Sequence, residues 1–228
     1  MNLKKYLNQK PVNNPLSFYS LTIVFTVGCI FGCYYEMILN LITHLIWNHE
    51  FFWETRSGVI YGPFSIIYGV GAVLMTIFLV NRNLKWYQIF IFGALIDGLF
   101  EYLTSYLQEF FTGTISWNYN DHFLSFDGRT SVQVMIIWGL ICLFYVYLAY
   151  PLIDKIISFF NNKKGHLFIK IFAILLCIDI FISFSAVIRQ HLRHENIPTY
   201  TPYGQFLDAV YPDERVKKAY PNMEFRKT

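Results

Sequence analysis

Five apolar segments, each at least about the 20 residues that a helix needs to cross a bilayer, constrain this chain more than any other feature. They run from Leu16 to Trp47, Gly58 to Val80, Trp86 to Phe111, Ser131 to Ile153 and Leu167 to Ile188. Little polar surface is left to cover a water-soluble fold, because charged residues make up 14% of the chain against roughly 25% in soluble domains. The expected fold is therefore all-α, a polytopic membrane bundle of about five transmembrane helices over residues 16–188. Residues 1–15 precede it as a cytoplasmic segment, and residues 189–228 follow as a peripheral polar tail broken by Pro198, Pro202, Pro212 and Pro221. The multi-pass reading places the chain in the cell membrane.

Basic residues near helix ends set the orientation. Lys4, Lys5, Lys10, Arg82, Lys85, Lys155, Lys163 and Lys164 gather on one side, which predicts a cytoplasmic N-terminus. The tail dissents, since Arg189, Arg193 and five further basic residues then fall on the opposite side. The net charge of +3 is small and spread over termini and connections, so nucleic acid is excluded as a partner and membrane lipid is expected. All four cysteines lie inside apolar stretches, where thiols serve as small hydrophobes. No cofactor or metal site is implied, because His191, His194 and Glu195 lack the order of the zinc-helix motifs. No Gly-Lys dipeptide occurs, so the chain carries no Walker-type phosphate loop.

Acids at membrane depth point to a site. Glu36, Asp97, Glu101 and Asp179 fall within the spans, and each ionised carboxylate at a helix centre costs about 2.5–3.5 kcal/mol on insertion scales. They must face the interior, pair with bases or carry protons. Gly28, Gly32, Glu36, Asn40 and His44 share one helix face, as do Asp97, Glu101, Ser105 and Gln108. Gly28-x-x-x-Gly32 and Gly58-x-x-x-Gly62 are small-residue pairs that let helices approach closely. Pro63 lies early in the second span, among Tyr61, Gly62 and Tyr68, and predicts a broken or re-entrant segment there.

By connectivity Glu36, Glu101 and Tyr61 lie toward the end of the bundle that carries the Arg56 loop and the Trp117-Asn118-Tyr119 loop with Asp127 and Arg129. The candidate polar site is thus Glu36, Arg56, Tyr61, Tyr68, Asp97, Glu101, Trp117, Asn118, Tyr119, Asp127 and Arg129. A structural ion-pair network and a substrate site explain this set equally well. A short repeat, Gly32 to Glu36 and Gly98 to Glu101, each followed by a Trp-bearing loop and an Arg, predicts two parallel hairpins with both glutamates near their axis.

In the same order along the chain stand Arg56-Ser-Gly-Val-Ile-Tyr-Gly-Pro63, Tyr68-Gly-Val-Gly71, Glu101-Tyr-Leu-Thr104, Trp117-Asn-Tyr119, Phe126-Asp-Gly-Arg129 and Trp138-Gly139. Tyr211-Pro-Asp-Glu-Arg215 and Tyr220-Pro-Asn-Met223 follow in the tail. This ordered set resembles the putative ABC-transporter type IV family, also called CmpB-like. Ile66 departs from the family pattern, which has a second proline there, and removes one reason to expect a deep kink. The resemblance implies a permease component that works with a separate ATPase subunit. An intramembrane enzyme acting on a lipid or lipid-linked group is the alternative, with Glu36 or Glu101 as base and Arg56 and Arg129 holding an anion. A membrane scaffold without substrate is a third reading, and self-association into a homo-oligomer is compatible with all three.

Overall fold

The computed structural model describes residues 14–225. Lys4, Lys5 and Lys10, on which part of the orientation argument rests, lie outside them. Helix α1 (Phe18–Trp47) starts at a capping box in which Ser17 and Ser20 satisfy each other's backbone N–H groups. Helix α2 (Ile66–Leu79) is short, α3 (Trp86–Thr112) ends at Gly113 with φ +64°, and α4 spans Val132–Phe160. Helix α5 (Lys163–His194) begins where the Asn162 side chain accepts the Gly165 N–H at 2.9 Å. Two short helices, α6 (Pro202–Val210) and α7 (Asp213–Ala219), form most of the tail.

Four of these helices, α1, α3, α4 and α5, are long and apolar enough to cross a membrane. The expected fifth span is only partly helical. Fourteen residues in α2 give about 21 Å of helix against the roughly 30 Å of a bilayer core. Large apolar side chains cover the outside of the bundle: Leu167, Phe168, Ile174 and Leu175 on α5 are each at least 57% exposed, which suits lipid contact and not water.

The residues before α2, Ser57 to Ser65, run as irregular chain packed against α1 and α5. Ser65 donates its N–H to the Cys29 carbonyl of α1 at 3.0 Å, and Ile60 and Tyr61 donate theirs to Ser183 Oγ at 2.9 Å and Asp179 Oδ1 at 3.3 Å on α5. The Ser57 hydroxyl bonds the Gly62 carbonyl at 2.8 Å. Non-helical backbone in a membrane bundle survives only when other protein groups satisfy it, and Asp179 and Ser183 do so here for Tyr61 and Ile60. The Gly58/Gly62 pair therefore does not form a helix-packing face; Gly62 sits at φ +87° in the turn.

Gly28 and Gly32 do mediate close packing, of α1 on α2. A Cβ at Gly28 would stand 2.7 Å from the Ala72 Cβ, and one at Gly32 would overlap the Tyr68 ring. Helix α3 packs in turn on α4, which gives two hairpins side by side. Midway along α4 a π-helical turn, Tyr145–Ala149, inserts one extra residue per turn. That insertion keeps Trp138 and Cys142 above it, Tyr145 at its start and Tyr150 and Asp154 below it all buried on the inner side.

The polarity of the bundle is graded from end to end. Near the start of α1 the core is apolar, with Ile23, Val24, Leu79, Ile89, Val146, Ile153 and Ile169 packed together. The loops Asn48 to Ser65 and Gly113 to Ser131 and the tail gather at the other end. There β1 (Thr114–Ile115) pairs antiparallel with β4 (Glu224–Phe225), and β2 (Ser125–Phe126) with β3 (Thr130–Ser131). Leu207, Tyr211 and Val216 of the tail bury against Ala186 and Val187 of α5.

Candidate functional site

Glu36 on α1 and Glu101 on α3 meet around a shared set of aromatic side chains. The Tyr68 hydroxyl lies beside the Glu36 carboxylate and acts on it, held there because Gly32 leaves room for the Tyr68 ring one turn away. Glu101, 4% exposed, accepts the Tyr119 hydroxyl at 3.0 Å on Oε1 and the Thr130 hydroxyl at 2.9 Å on Oε2, with the Trp138 indole as a further donor. The two carboxylates are linked through these rings: Tyr68 and Trp138 lie 5.8 Å apart between centroids, and Tyr119 feels the charge of both acids. Burial, reinforced by Glu101, pushes the Tyr119 phenol above its ordinary range, so it remains a neutral donor.

The arginines divide. Arg56 lies close enough to Glu36 to act on its charge, pairs with Glu54 at 3.4 Å, and turns its backbone N–H to the Cys33 sulfur. Arg129 does not serve Glu101. Its guanidinium pairs with Glu109, reaches Ser105 at 3.4 Å, and lies over the Tyr102 and Tyr106 rings. Asp97 sits deeper, 2% exposed, with the Cys142 thiol on Oδ2 at 3.0 Å.

The remaining candidates are loop-builders. The Trp117 indole donates to the Arg129 carbonyl at 2.9 Å, Asn118 Oδ1 accepts the Asn120 N–H at 2.9 Å, and Asp127 accepts the Tyr102 hydroxyl at 2.8 Å. Together they hold the hairpin from which Tyr119 and Thr130 reach Glu101. Tyr61 stands apart with the tail, its hydroxyl 3.0 Å from the Tyr211 hydroxyl and 3.2 Å from Arg215 Nη2. Sequence reasoning missed Thr130 and Trp138 as partners of Glu101 and Glu109 as the partner of Arg129. Trp138 could have been found from its spacing, one turn before Cys142 on a face that would then point at α3. Among the described residues no three His, Cys, Asp or Glu side chains converge as a metal-ligand set.

This arrangement uses residues scattered from Glu36 to Trp138, and a family model covers all of them. The model of the putative ABC-transporter type IV family matches residues 23–184. The chain belongs to this family. No curated protein and no solved structure matches it. In this CmpB-like chain the matched region takes in α1 from Ile23, the irregular segment, α2 to α4 and α5 as far as Phe184, and so includes every acid of the polar site. The tail, from Arg189 onward, lies beyond it.

Proposed function

We propose that this chain is the membrane-embedded component of a transport system in the cell membrane. The bundle over residues 16–188 carries the path, and the site formed by Glu36, Tyr68, Glu101 and Tyr119 lies on it. One observation supports this reading most: acids from two separate helices converge where α2 gives way to irregular chain. Paired acids inside a bundle mark solute and ion pathways, and interrupted helices supply the backbone groups that such pathways use.

The enzyme alternative requires Arg56 and Arg129 to grip an anion together. Arg129 is already engaged by Glu109 and two tyrosine rings, which leaves only Arg56 for that task. Membership of a family described as an ABC-transporter type makes a separate ATPase subunit the expected partner. At the end opposite the polar site, the described connections are short, Val80 to Lys85 and Asn161 to Asn162. Purification of the tagged chain from native membranes in lipid nanodiscs tests the reading. A stoichiometric ATPase should accompany it, and Glu36→Gln and Glu101→Gln should abolish solute uptake while the partner stays bound. A chain that purifies alone, from membranes in which it is active, would refute the ABC-type assignment.

A further inference from the structure

We propose that Asp97 is a proton-binding site that exchanges with the polar end of the bundle through Glu101 and Tyr119. Coupling of that proton to solute movement rests on the transport reading above; the proton site itself does not.

The argument begins with an unmatched oxygen. Asp97 lies in the middle of α3 and is 2% exposed, and its Oδ1 has no hydrogen-bond partner. What faces Oδ1 is the bare Cα of Gly71 on α2, where even an added Cβ would stop 3.7 Å away. The titratable groups that act on Asp97 are Glu101, one turn along α3, and the Cys142 thiol on α4, while Gly71 of α2 lies beside Oδ1. No arginine or lysine is among them. Nearby, Arg56 is shared between Glu54 and Glu36, and Arg129 is held by Glu109. Glu36, Asp97 and Glu101 thus have one arginine between them, and that one has another claim on it.

A buried carboxylate without a cation is far more costly than a buried carboxylic acid with one unmatched hydroxyl. No metal-ligand set converges here among the described residues. The proton is the ligand that fits. A thiol is a weak donor, so Cys142 holds one oxygen in place without strongly favouring the ionised form. The other oxygen, Oδ1, is free to accept. Above it Glu101 Oε1 meets the Tyr119 hydroxyl at 3.0 Å, and Tyr119 belongs to the loop at the polar end. Below it the polar groups close on themselves, with Thr76 Oγ1 and the Tyr145 hydroxyl 2.6 Å apart inside the apolar core. Access is therefore one-sided. A hydronium ion gives a proton to the Tyr119 oxygen as the Tyr119 hydroxyl passes its own to Glu101 Oε1, and Glu101 then gives up a proton to form the O–H bond at Oδ1, leaving water, neutral Tyr119 and ionised Glu101; release runs the same steps backward.

Infrared spectroscopy of the full chain in lipid nanodiscs reads this directly. A protonated-carboxyl C=O band should be present at neutral pH, vanish in Asp97→Asn, and shift in Cys142→Ala as the thiol contact is lost. In D2O the band should exchange at least ten-fold more slowly in Glu101→Gln. Absence of the band at neutral pH, or its persistence in Asp97→Asn, would overturn the proton site, and unchanged exchange in Glu101→Gln would overturn the route. Should Asp97→Asn fail to fold, the Cys142→Ala shift decides the assignment alone. Neither solute nor ATPase is needed, so loss of the transport reading would leave this result standing, and loss of the band would leave the transport reading standing.

Discussion

Which arginine serves which acid is decided by side-chain reach, and sequence spacing could not reveal it. Glu101 and Glu109 lie on the same helix and both precede Arg129 in sequence, and the hairpin that carries Arg129 aims the guanidinium at Glu109. A double-mutant cycle on thermal stability should therefore give a coupling of at least about 1 kcal/mol for Arg129 with Glu109, and a clearly smaller one for Arg129 with Glu101. The acids themselves were legible, since charges within apolar runs announce themselves. Their aromatic partners were not, because Tyr and Trp are so frequent in this chain that no one of them stands out. Gly32 is the exception, a residue whose role follows from what it lacks. Gly32→Ala would drive a methyl group into the Tyr68 ring and should lower stability by roughly 1–3 kcal/mol, the usual range for overpacking. It should also detach Tyr68 from Glu36, which the tyrosine fluorescence of a chain retaining only that ring would report.

At the scale of elements, helices α1, α3, α4 and α5 were readable from apolar length alone, whereas the second span was readable only as interrupted. Pro63 and its glycines signal a break but do not say which distant groups will satisfy the freed backbone. Those groups are on α5, and Asp179 is central: it accepts from the Tyr61 N–H and from Ser183 Oγ, which itself accepts from Ile60. Asp179→Ala should cost about 0.5–1.5 kcal/mol, the usual net worth of a hydrogen bond. Asp179→Asn keeps an acceptor oxygen and should lose less, and thermal unfolding of the two variants side by side in detergent checks the order. The π-helical turn in α4 was not legible either, because an added residue in a uniformly apolar stretch leaves no mark on its pattern.

For the whole molecule, the dissenting charge of the tail has a physical resolution. Arg189 forks onto both Asp208 oxygens, and Arg193 pairs with Asp208 and Asp213, so much of the positive charge that opposed the orientation is neutralised locally. The tail packs at the polar end, where β4 pairs with β1. Cysteines placed at Asn48, Asn120 and Tyr200 in a background without native thiols should therefore all label from the same side of the membrane. The Arg189 pair holds the Asp208 carboxyl below its ordinary range. Its contribution is complete above the unfolded value of about 3.9 and is lost as pH falls through the lower, folded one. Protease sensitivity of the tail should thus rise only below about pH 4, and in Asp208→Asn it should be high at neutral pH as well. The irregular segment also has a consequence in time. Its acceptors on α5 lie 118 and 123 residues further along the chain, so they leave the ribosome long after the segment has met the membrane. Until α5 arrives, the N–H groups of Ile60 and Tyr61 lack their acceptors, and that turn must wait at the surface or in the care of the insertion machinery. The last span is therefore what allows the second to settle, and the bundle closes in an order different from the one in which it is made.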